Sequence, residues 1–383
     1  MEASKHIIYL TKNHSLPIVE RTNSNVFMFN ENGQSVQAKW LKKTIEQFNG
    51  CFVIMDHNNA ILHETSKALM KRNYFIEEMD LSNPDDGIKI NPFHLVTNTS
   101  EIHFMFLNIL YAMWDNQDPD IAAMSNLIDA FASCVFFMFN NNKEKLNMYA
   151  LRKMISSVRA TLNTESGPVL MSDAIFDGIK DQESMPCKYY AQFKKAAGER
   201  QGEIAEKVAQ VFDKFTDADM IMMSETDNYL TEELNSKTAL FLNVNKATEE
   251  HTAKIAFILL NYFVQHIQSH QPALFVVDKL NDTNNMLISL PYWMKESNEH
   301  EMSFIVISND LSCFMTNPRA EKYFRSIQKE SAAYVIVNQN ATAQKYASEL
   351  PMTDEEMMEF TNQEIVSIVQ IPSLDLSEKD LLF

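Results

Sequence analysis

Residues 25–48 read NVFMFNENGQSVQAKWLKKTIEQF, and this stretch decides the class of fold. A short apolar run, VFMF at 26–29, is followed by a polar turn and then by an amphipathic stretch at 36–48. A short apolar run bounded by turn residues predicts a buried strand, and apolar residues at helical spacing predict a helix. A second run, CFVIM at 51–55, completes a β-α-β unit. Such units imply a parallel sheet in an α/β fold.

The alternation of strands and helices continues along the chain with one long interruption. Between residues 96 and 235 helical periodicity dominates, and no segment is a convincing strand. We therefore predict an α/β domain, with helices on both faces of its sheet, formed by residues 1–95 and 236–383 and interrupted by an inserted all-α domain at 96–235. The further predicted strands are 75–81, 238–244, 273–278, 304–308, 333–338 and 365–371.

The bulk composition is that of a folded globular protein, with 45% apolar and 22% charged residues in 383. No apolar run is long enough to cross a membrane, and the N-terminus MEASKHIIYL lacks the order of a signal peptide. The four cysteines form no CxxC pair, which indicates reduced thiols. We therefore expect a cytoplasmic protein. Two histidines, His266 and His270, have helical spacing but lack a third ligand, so no metal site is expected.

The net charge of −18 and the scarcity of glycine exclude two classes of function. Nucleic-acid affinity rests mainly on cations that neutralise phosphates, so strong direct binding to nucleic acid is not expected. Only seven glycines are present, and no GxGxxG pattern occurs. A Rossmann dinucleotide site is therefore excluded.

The turn after VFMF lies where a Walker phosphate-binding loop would be. That loop, GxxxxGK[ST], surrounds phosphates with backbone amides, and its lysine and hydroxyl bind the phosphates and Mg²⁺. Aligned from the end of the strand, the two glycines are replaced by Asn30 and Ser35, the lysine by Val36 and the hydroxyl by Gln37. Gly33 is the one glycine in the turn. The residues favour an ordinary strand–helix connection over a phosphate site.

Two later strands end in polar residues that have counterparts in P-loop ATPases. ALFVVDKL at 273–280 places Asp278 where such enzymes hold Mg²⁺, but Lys279 lies where many carry a glutamate that orients water. A strand end with a solvated Asp–Lys pair is the favoured interpretation of this segment. FIVISND at 304–310 places Asn309 either as a polar sensor at the carboxyl edge of the sheet or as a turn residue.

The order of these segments resembles the TraG-type coupling proteins of type IV secretion and conjugation. Members of this family are RecA-like hexameric ATPases with an inserted all-α domain. In the family an Asp-Pro-Lys-Gly-Glu follows the second strand, and an Asn-Pro-Phe comes later, as INPF does here. The segments that carry the resemblance are 7–29, 51–93, 189–215, 237–244, 273–280 and 352–371.

The departures from the family pattern are concentrated at its catalytic positions. Asp56 is kept, but the Pro-Lys-Gly-Glu after it is replaced by HNNA at 57–60. The resemblance therefore implies an ATPase scaffold without catalytic residues, that is, a pseudo-ATPase with weak or absent binding of ATP and Mg²⁺. Its vestigial nucleotide site would comprise Asn30, Gly33, Ser35, Val36, Gln37, Asp56, Asp278, Lys279 and Asn309.

Three functions are compatible with the sequence. The leading hypothesis is a soluble adaptor subunit of conjugative DNA transfer or type IV secretion, whose helical domain binds a relaxase or an active coupling ATPase. Such a subunit could form an oligomer and be recruited to the membrane by its partner. The second hypothesis is an active ATPase whose missing groups come from a neighbouring subunit. The third is a fold reused in regulation or defence, since fold does not fix function.

Overall fold

The structure is a computed structural model, and its described residues form two compact units. The sheet unit comprises 1–82, 231–256 and 263–383, and the helical unit comprises 83–230 and 257–262. The domain boundaries predicted from the sequence are 95/96 and 235/236. The described residues are 7–9, 15–18, 21–30, 34–83, 88–94, 98–114, 118–138, 146–158, 161–164, 167–224, 237–244, 249–267, 272–280, 289–310, 314 and 318–337.

The described chain contains strands and helices in the order that the sequence predicts for most of its length. The strands are β1 Ile7–Tyr9, β2 Ser15–Pro17, β3 Val26–Asn30, β4 Cys51–His57, β5 Phe75–Asp80, β6 Thr161–Thr164, β7 Gly167–Leu170, β8 Thr238–Val244, β9 Ala273–Val277, β10 Met302–Ser308 and β11 Ala333–Val337. The helices are α1 Gln34–Gln47, α2 Ala60–Lys71, α3 Thr99–Met113, α4 Ile121–Met138, α5 Met148–Val158, α6 Met171–Asp177, α7 Met185–Ala197, α8 Gln201–Asp213, α9 Asp217–Met222, α10 Glu249–Ile267, α11 Leu290–Ser297 and α12 Pro318–Lys329.

A seven-stranded parallel sheet organises the sheet unit. Its order is β11-β3-β10-β9-β4-β8-β5, and every neighbouring pair is parallel. All residues of β4, β8, β9 and β10 are buried, as expected for parallel strands covered on both faces. The predicted parallel α/β fold is confirmed. The predicted strand 365–371 lies outside the described residues.

One apolar layer joins α1 and α2 to the sheet. Leu41 and Ile45 of α1 and Leu69 of α2 are fully buried in the same cluster as the inward residues of β3, β4 and β9. The rings of Phe48 and Phe52 meet edge to face at 5.2 Å. These contacts explain why the apolar positions of the opening stretch repeat at helical spacing.

A buried polar junction lies at the edge of the sheet where the parallel strands begin. The fully buried amide of Asn25, just before β3, donates from Nδ2 to the carbonyl oxygens of Met294 at 2.8 Å and Glu330 at 3.2 Å. Its Oδ1 accepts from the backbone N–H of Phe304 at 2.8 Å and from the Ser297 hydroxyl at 3.2 Å. Its backbone carbonyl accepts the N–H of Ala332 at 2.8 Å.

The helical unit departs from the sequence expectations in two ways. Helical periodicity runs without a break through 187–215, but the structure has two helices there: α7 and α8 are separated by a 3₁₀ turn at Gly198–Arg200, because Gly198 adopts a left-handed φ of 56°. The unit is also not all-α, since β6 and β7 form an antiparallel hairpin. These strands are four residues long and lack the apolar alternation that would have revealed them.

None of the helices within the described ranges has the length and apolar character needed to span a membrane.

Gly50 provides a test of the packing at the start of β4. A Cβ at this residue would lie 2.0 Å from the carbonyl oxygen of Pro272 and 2.7 Å from the Phe48 ring. We expect Gly50→Ala to lower the free energy of unfolding by at least about 2 kcal/mol, because a buried backbone would have to move. Urea denaturation followed by circular dichroism measures this change.

Gly202 in α8 is the matched control, since a Cβ there meets nothing within 4 Å. Gly202→Ala should raise the stability of the chain by about 0.5–1 kcal/mol through helix propensity. Equal effects of the two substitutions would contradict the packing described for Gly50.

Candidate functional site

The carboxyl ends of the parallel strands bring the predicted site residues to one edge of the sheet. Asp56 is the last residue but one of β4. Asp278 and Lys279 follow β9, and Asn309 follows β10. Asn30 is the last residue of β3 and pairs with Val337 of β11. Ser35, Val36 and Gln37 lie in the first turn of α1, and Gly33 lies outside the described residues. In open parallel sheets, ligands bind at this edge.

Asp56 holds the amino end of α2. Its Oδ1 accepts the backbone N–H of Ile61 at 3.1 Å and its Oδ2 accepts that of Leu62 at 2.8 Å. The intervening turn is made by Asn58 and Asn59, which adopt left-handed φ values of 55° and 56°. Asparagine tolerates this region better than most residues with a side chain. The helix terminus therefore stabilises the Asp56 carboxylate, as its positive end would any anion.

Burial nevertheless dominates the acidity of Asp56. Removal from water raises the pKa of this fully buried carboxyl to about 7, although the N–H groups of Leu62 and Ile61 act in the opposite direction. The negative charge of Asp278 raises this pKa further, and His57 lowers it. Near neutral pH, Asp56 is therefore divided between its neutral and charged forms.

Asp278 is engaged by His57. Its Oδ2 accepts the backbone N–H of His57 at 3.3 Å and lies 3.5 Å from the imidazole Nδ1. Both side chains are buried, with exposed fractions of 0% and 2%. The expected solvated Asp–Lys pair is therefore wrong for Asp278, because β4 covers the carboxylate. The sequence did not reveal His57 as its neighbour, since 221 residues separate the two.

Lys279 turns the chain away from β9. It is half-buried and adopts a left-handed φ of 58°, which is unusual for a lysine. The next residue returns to the sheet, where the Leu280 N–H donates to the carbonyl of Ile307 at 2.6 Å. An ammonium has no lone pair to accept a proton, so Lys279 cannot act as a general base while it is charged.

Asn309 extends beyond β10, the strand that lies between β3 and β9. It is half-buried, and its Oδ1 accepts no hydrogen bond from any residue that the structure describes. This position agrees with the predicted place at the carboxyl edge. Its role as a sensor stays a prediction.

Three polar residues at the same edge were missed by the sequence analysis. Glu78 of β5 accepts hydrogen bonds at Oε1 from the side-chain amides of Asn59, at 2.5 Å, and Asn243 of β8, at 3.3 Å. An asparagine inside the otherwise apolar strand TALFLNV was the available signal. The hydrogen-bond partner of Asn243 could not be predicted from this signal, because the local sequence does not determine which strands are neighbours.

Solved structures of similar shape were found, although no protein-family model and no curated protein matches the chain. VirB4 of Thermoanaerobacter pseudethanolicus has 16% sequence identity and a TM-score of 0.55, over 93% of this chain and 91% of its own. The bacterial conjugative coupling protein TrwBΔN70, in its unbound monoclinic form, has 11% identity and a TM-score of 0.56, over 88% and 72%. TrwB in complex with ADP and Mg²⁺ has 11% identity and a TM-score of 0.51, over 90% and 77%.

This chain has the fold of VirB4 and TrwB. The likeness confirms the expected coupling-protein fold, a parallel α/β sheet unit of the RecA-like P-loop type with a helical insertion. At sequence identities this low, the likeness shows the fold alone. What the residues at the carboxyl edge can do must be argued from those residues.

The raised pKa of Asp56 makes its contribution to stability depend on pH. The folded-state pKa of about 7 exceeds the ordinary aspartate pKa of 3.8, so folding favours the protonated acid. This stabilisation is complete below about pH 4 and is lost as the pH rises through about 7, a total of about 4 kcal/mol. In Asp56→Asn the residue does not titrate. We expect wild type to gain stability relative to this variant when the pH falls from about 8 to about 5.

Thermal melting of both proteins at the two pH values measures the effect. Glu46→Gln, an exposed substitution on α1, is the control and should show no such change with pH. A difference between wild type and Asp56→Asn that is the same at both pH values would contradict the buried, proton-binding carboxyl.

Proposed function

We propose that this chain is a non-hydrolysing relative of the type IV coupling proteins, a binding or adaptor subunit in conjugative DNA transfer or type IV secretion. The fold shared with VirB4 and TrwB supports a role in such machinery. TrwB binds ADP and Mg²⁺ on this fold. We propose that the present chain has the same fold but does not hydrolyse ATP.

The observation that carries this proposal is the engagement of Asp278. In a P-loop ATPase an acid at this place helps to hold Mg²⁺ on the phosphates. Here the Asp278 carboxylate is fully buried and has the His57 imidazole 3.5 Å away. A hydrated cation would have to displace the His57 imidazole, and it would compete with the backbone N–H of His57, which donates to the same carboxylate oxygen at 3.3 Å.

The amino-acid types around the turn after β3 support the same conclusion. Hydrolysis of ATP needs cations and backbone amides around the phosphates. At the four defining positions the chain carries Asn30, Ser35, Val36 and Gln37, none of which is charged. Lys279 supplies a positive charge beside Asp278, but it lacks the basic oxygen that would orient an attacking water.

The helical unit is the proposed binding surface for a partner, either a relaxase or an active coupling ATPase. Acidic residues outnumber basic ones in residues 96–235, which favours a partner with a basic surface. The partner would recruit the chain to the membrane-bound machinery.

The decisive measurement combines hydrolysis and nucleotide binding. We expect the pure protein to release no phosphate from ATP with Mg²⁺, and ATP to leave its melting temperature within about 1 °C, because a ligand raises stability only if it binds the native state. Asp278→Ala is the matched variant and should match wild type in both assays. Hydrolysis that this substitution abolishes would contradict the proposal.

The same assays with a coupling ATPase or relaxase present separate the remaining functions. Binding of the partner without new hydrolysis supports the adaptor. Hydrolysis that appears only in the mixture and is lost with Asp278→Ala supports a site completed by a neighbouring subunit. No interaction with any component of a transfer system supports reuse of the fold for another purpose.

A further inference from the structure

The strand β5 forms one end of the seven-stranded sheet, and half of its backbone groups face away from β8. In a parallel pair, the N–H and C=O groups of one residue point to the same side, and those of the next residue point to the other side. The Phe75 N–H donates to the carbonyl oxygen of Lys237 at 2.9 Å, and the Leu81 N–H donates to that of Asn243 at 3.3 Å. The odd-numbered residues from 75 to 81 therefore face β8.

The even-numbered residues of β5 face outward. They are Ile76, Glu78 and Asp80, and none of them has a backbone-to-backbone hydrogen bond on that side within the described ranges. The strand thus presents their N–H and C=O groups to the outside in a regular row. Such a row is a template on which another extended chain can add a strand.

This edge lacks most of the features that keep the edges of sheets from pairing with other chains. Proline, lysine, a bulge or a very short strand are the usual safeguards. The sequence of β5, FIEEMD, contains neither proline nor lysine, and its register with β8 is regular over all six residues. The safeguard that it has is the negative charge of Glu77, Glu78 and Asp80. Negative charge repels an acidic strand and attracts a basic one, so the edge is selective.

Two carboxylates of this edge are held in place, each by one of its oxygens. Glu78 Oε1 accepts hydrogen bonds from the side-chain amides of Asn59, at 2.5 Å, and Asn243, at 3.3 Å. Asp80 Oδ1 accepts from the backbone N–H of Ser82 at 2.9 Å and from its hydroxyl at 2.6 Å. The other oxygen of each carboxylate receives no hydrogen bond from the described part of the chain. Because the two residues are two apart in a strand, they share a face and lie about 6.6 Å apart.

We propose that the outer edge of β5 binds an extended segment of a partner protein that carries basic residues at positions i and i+2. The segment adds a strand to the sheet, with backbone hydrogen bonds to the outward groups of β5. Its two cations share one face and lie about 6.6 Å apart, which matches the carboxylates of Glu78 and Asp80. Its apolar residues lie on the other face, where Phe75 is 39% exposed.

A second copy of β5 is a poor occupant of the same edge. Two copies paired edge to edge would bring the acidic residues of both strands together, and like charges on facing strands destabilise a pair. A basic segment turns the same charges into an attraction. The edge belongs to the sheet unit, so it is an interaction surface in addition to the one proposed on the helical unit. It does not depend on a role of the chain in conjugation or secretion.

The first experiment asks whether the edge is open in the full chain. Amide hydrogen exchange is measured for each residue of β5 by nitrogen–proton NMR. We expect the N–H groups of Ile76, Glu78 and Asp80 to exchange at least about tenfold faster than those that pair with β8, because hydrogen bonding in the sheet protects an amide. Equal protection of the two sets would show that the edge is already covered, and the proposal would be wrong.

The second experiment adds a capped seven-residue peptide of threonine and valine, with lysine at its third and fifth positions, which we name the lysine peptide. At about ten times its dissociation constant, measured by calorimetry, it should slow the exchange of the three outward N–H groups about tenfold, since only the unbound protein exchanges them. The glutamate peptide, which has glutamate at the same two positions, is the matched control and should leave the exchange unchanged.

Methylated forms of the lysine peptide separate strand addition from charge attraction. Alternate backbone N–H groups of a strand point to opposite edges, and only one edge of the peptide pairs with β5. Two forms are compared, with N-methyl groups on the odd-numbered or on the even-numbered residues, and both keep the two lysines. One form should lose binding, and the other should bind as the unmodified peptide does. Equal effects of the two modifications would reduce the interaction to charge attraction and contradict an added strand.

Charge reversal on β5 locates the partner's basic residues. Glu78→Lys changes an exposed side chain and should weaken binding of the lysine peptide at least about threefold, because a cross-strand attraction becomes a repulsion. The same variant should bind the glutamate peptide more tightly than wild type does. Glu46→Lys makes the same change of net charge at an exposed site on α1 and should alter neither affinity. Thermal melting shows that both variants are folded.

Three further results would overturn the proposal. They are the absence of binding with the lysine peptide at about 1 mM, equal weakening by Glu78→Lys and Glu46→Lys, and protection of the outward amides that rises with protein concentration alone. The last result would assign the edge to a second copy of the chain. None of these measurements involves nucleotide or a component of a transfer system, so a failure of this binding edge and a failure of the proposed adaptor function are distinguishable.

Discussion

The buried amide of Asn25 is the constraint on which the sheet unit depends. It has hydrogen bonds to α11, to β10 and to the chain just after α12, while its own carbonyl holds the first residues of β11. No apolar side chain could satisfy all of these backbone groups, and an unsatisfied one would be costly. This junction fixes the strand neighbours of β3 from their amino ends. The loops at the carboxyl ends can therefore change without loss of the fold.

The polar residues at the carboxyl edge have contacts of their own. Asp56 stabilises α2 by accepting two of its backbone N–H groups, a structural task that needs no ligand. Asp278 has His57 as its neighbour, in a position that the family pattern gives to proline. The left-handed turns that glycine usually allows are made here by Asn58, Asn59 and Lys279. The polar residues of this edge are thus held by internal contacts, on a fold shared with TrwB, which has been solved with ADP and Mg²⁺.

The sequence predicted the elements well and the contacts between them poorly. The strand at 238–244 was predicted with its observed bounds, because a buried parallel strand is a continuous apolar run. The break at Gly198 was missed, since apolar periodicity continues across it and one φ angle decides the turn. The proximity of His57 to Asp278 and of Glu78 to Asn243 depends on which strands are neighbours. The order of a parallel sheet is set by crossovers over long distances, and no local pattern records it.

The interleaved strand order also determines when the molecule can fold during its synthesis. No two of β3, β4 and β5 pair with each other: β3 lies between β10 and β11, β4 between β8 and β9, and β5 beside β8. About 160 residues separate β5 from β8, and a ribosome needs about 10–30 s to add them. Throughout that time β3, β4 and β5, the first three strands of the parallel sheet, have no neighbouring strand to pair with. The helical unit, which is nearly continuous in sequence, can complete most of its packing first. We therefore expect the newborn chain to expose apolar strands for many seconds, a state in which chains are prone to aggregate unless chaperones bind them.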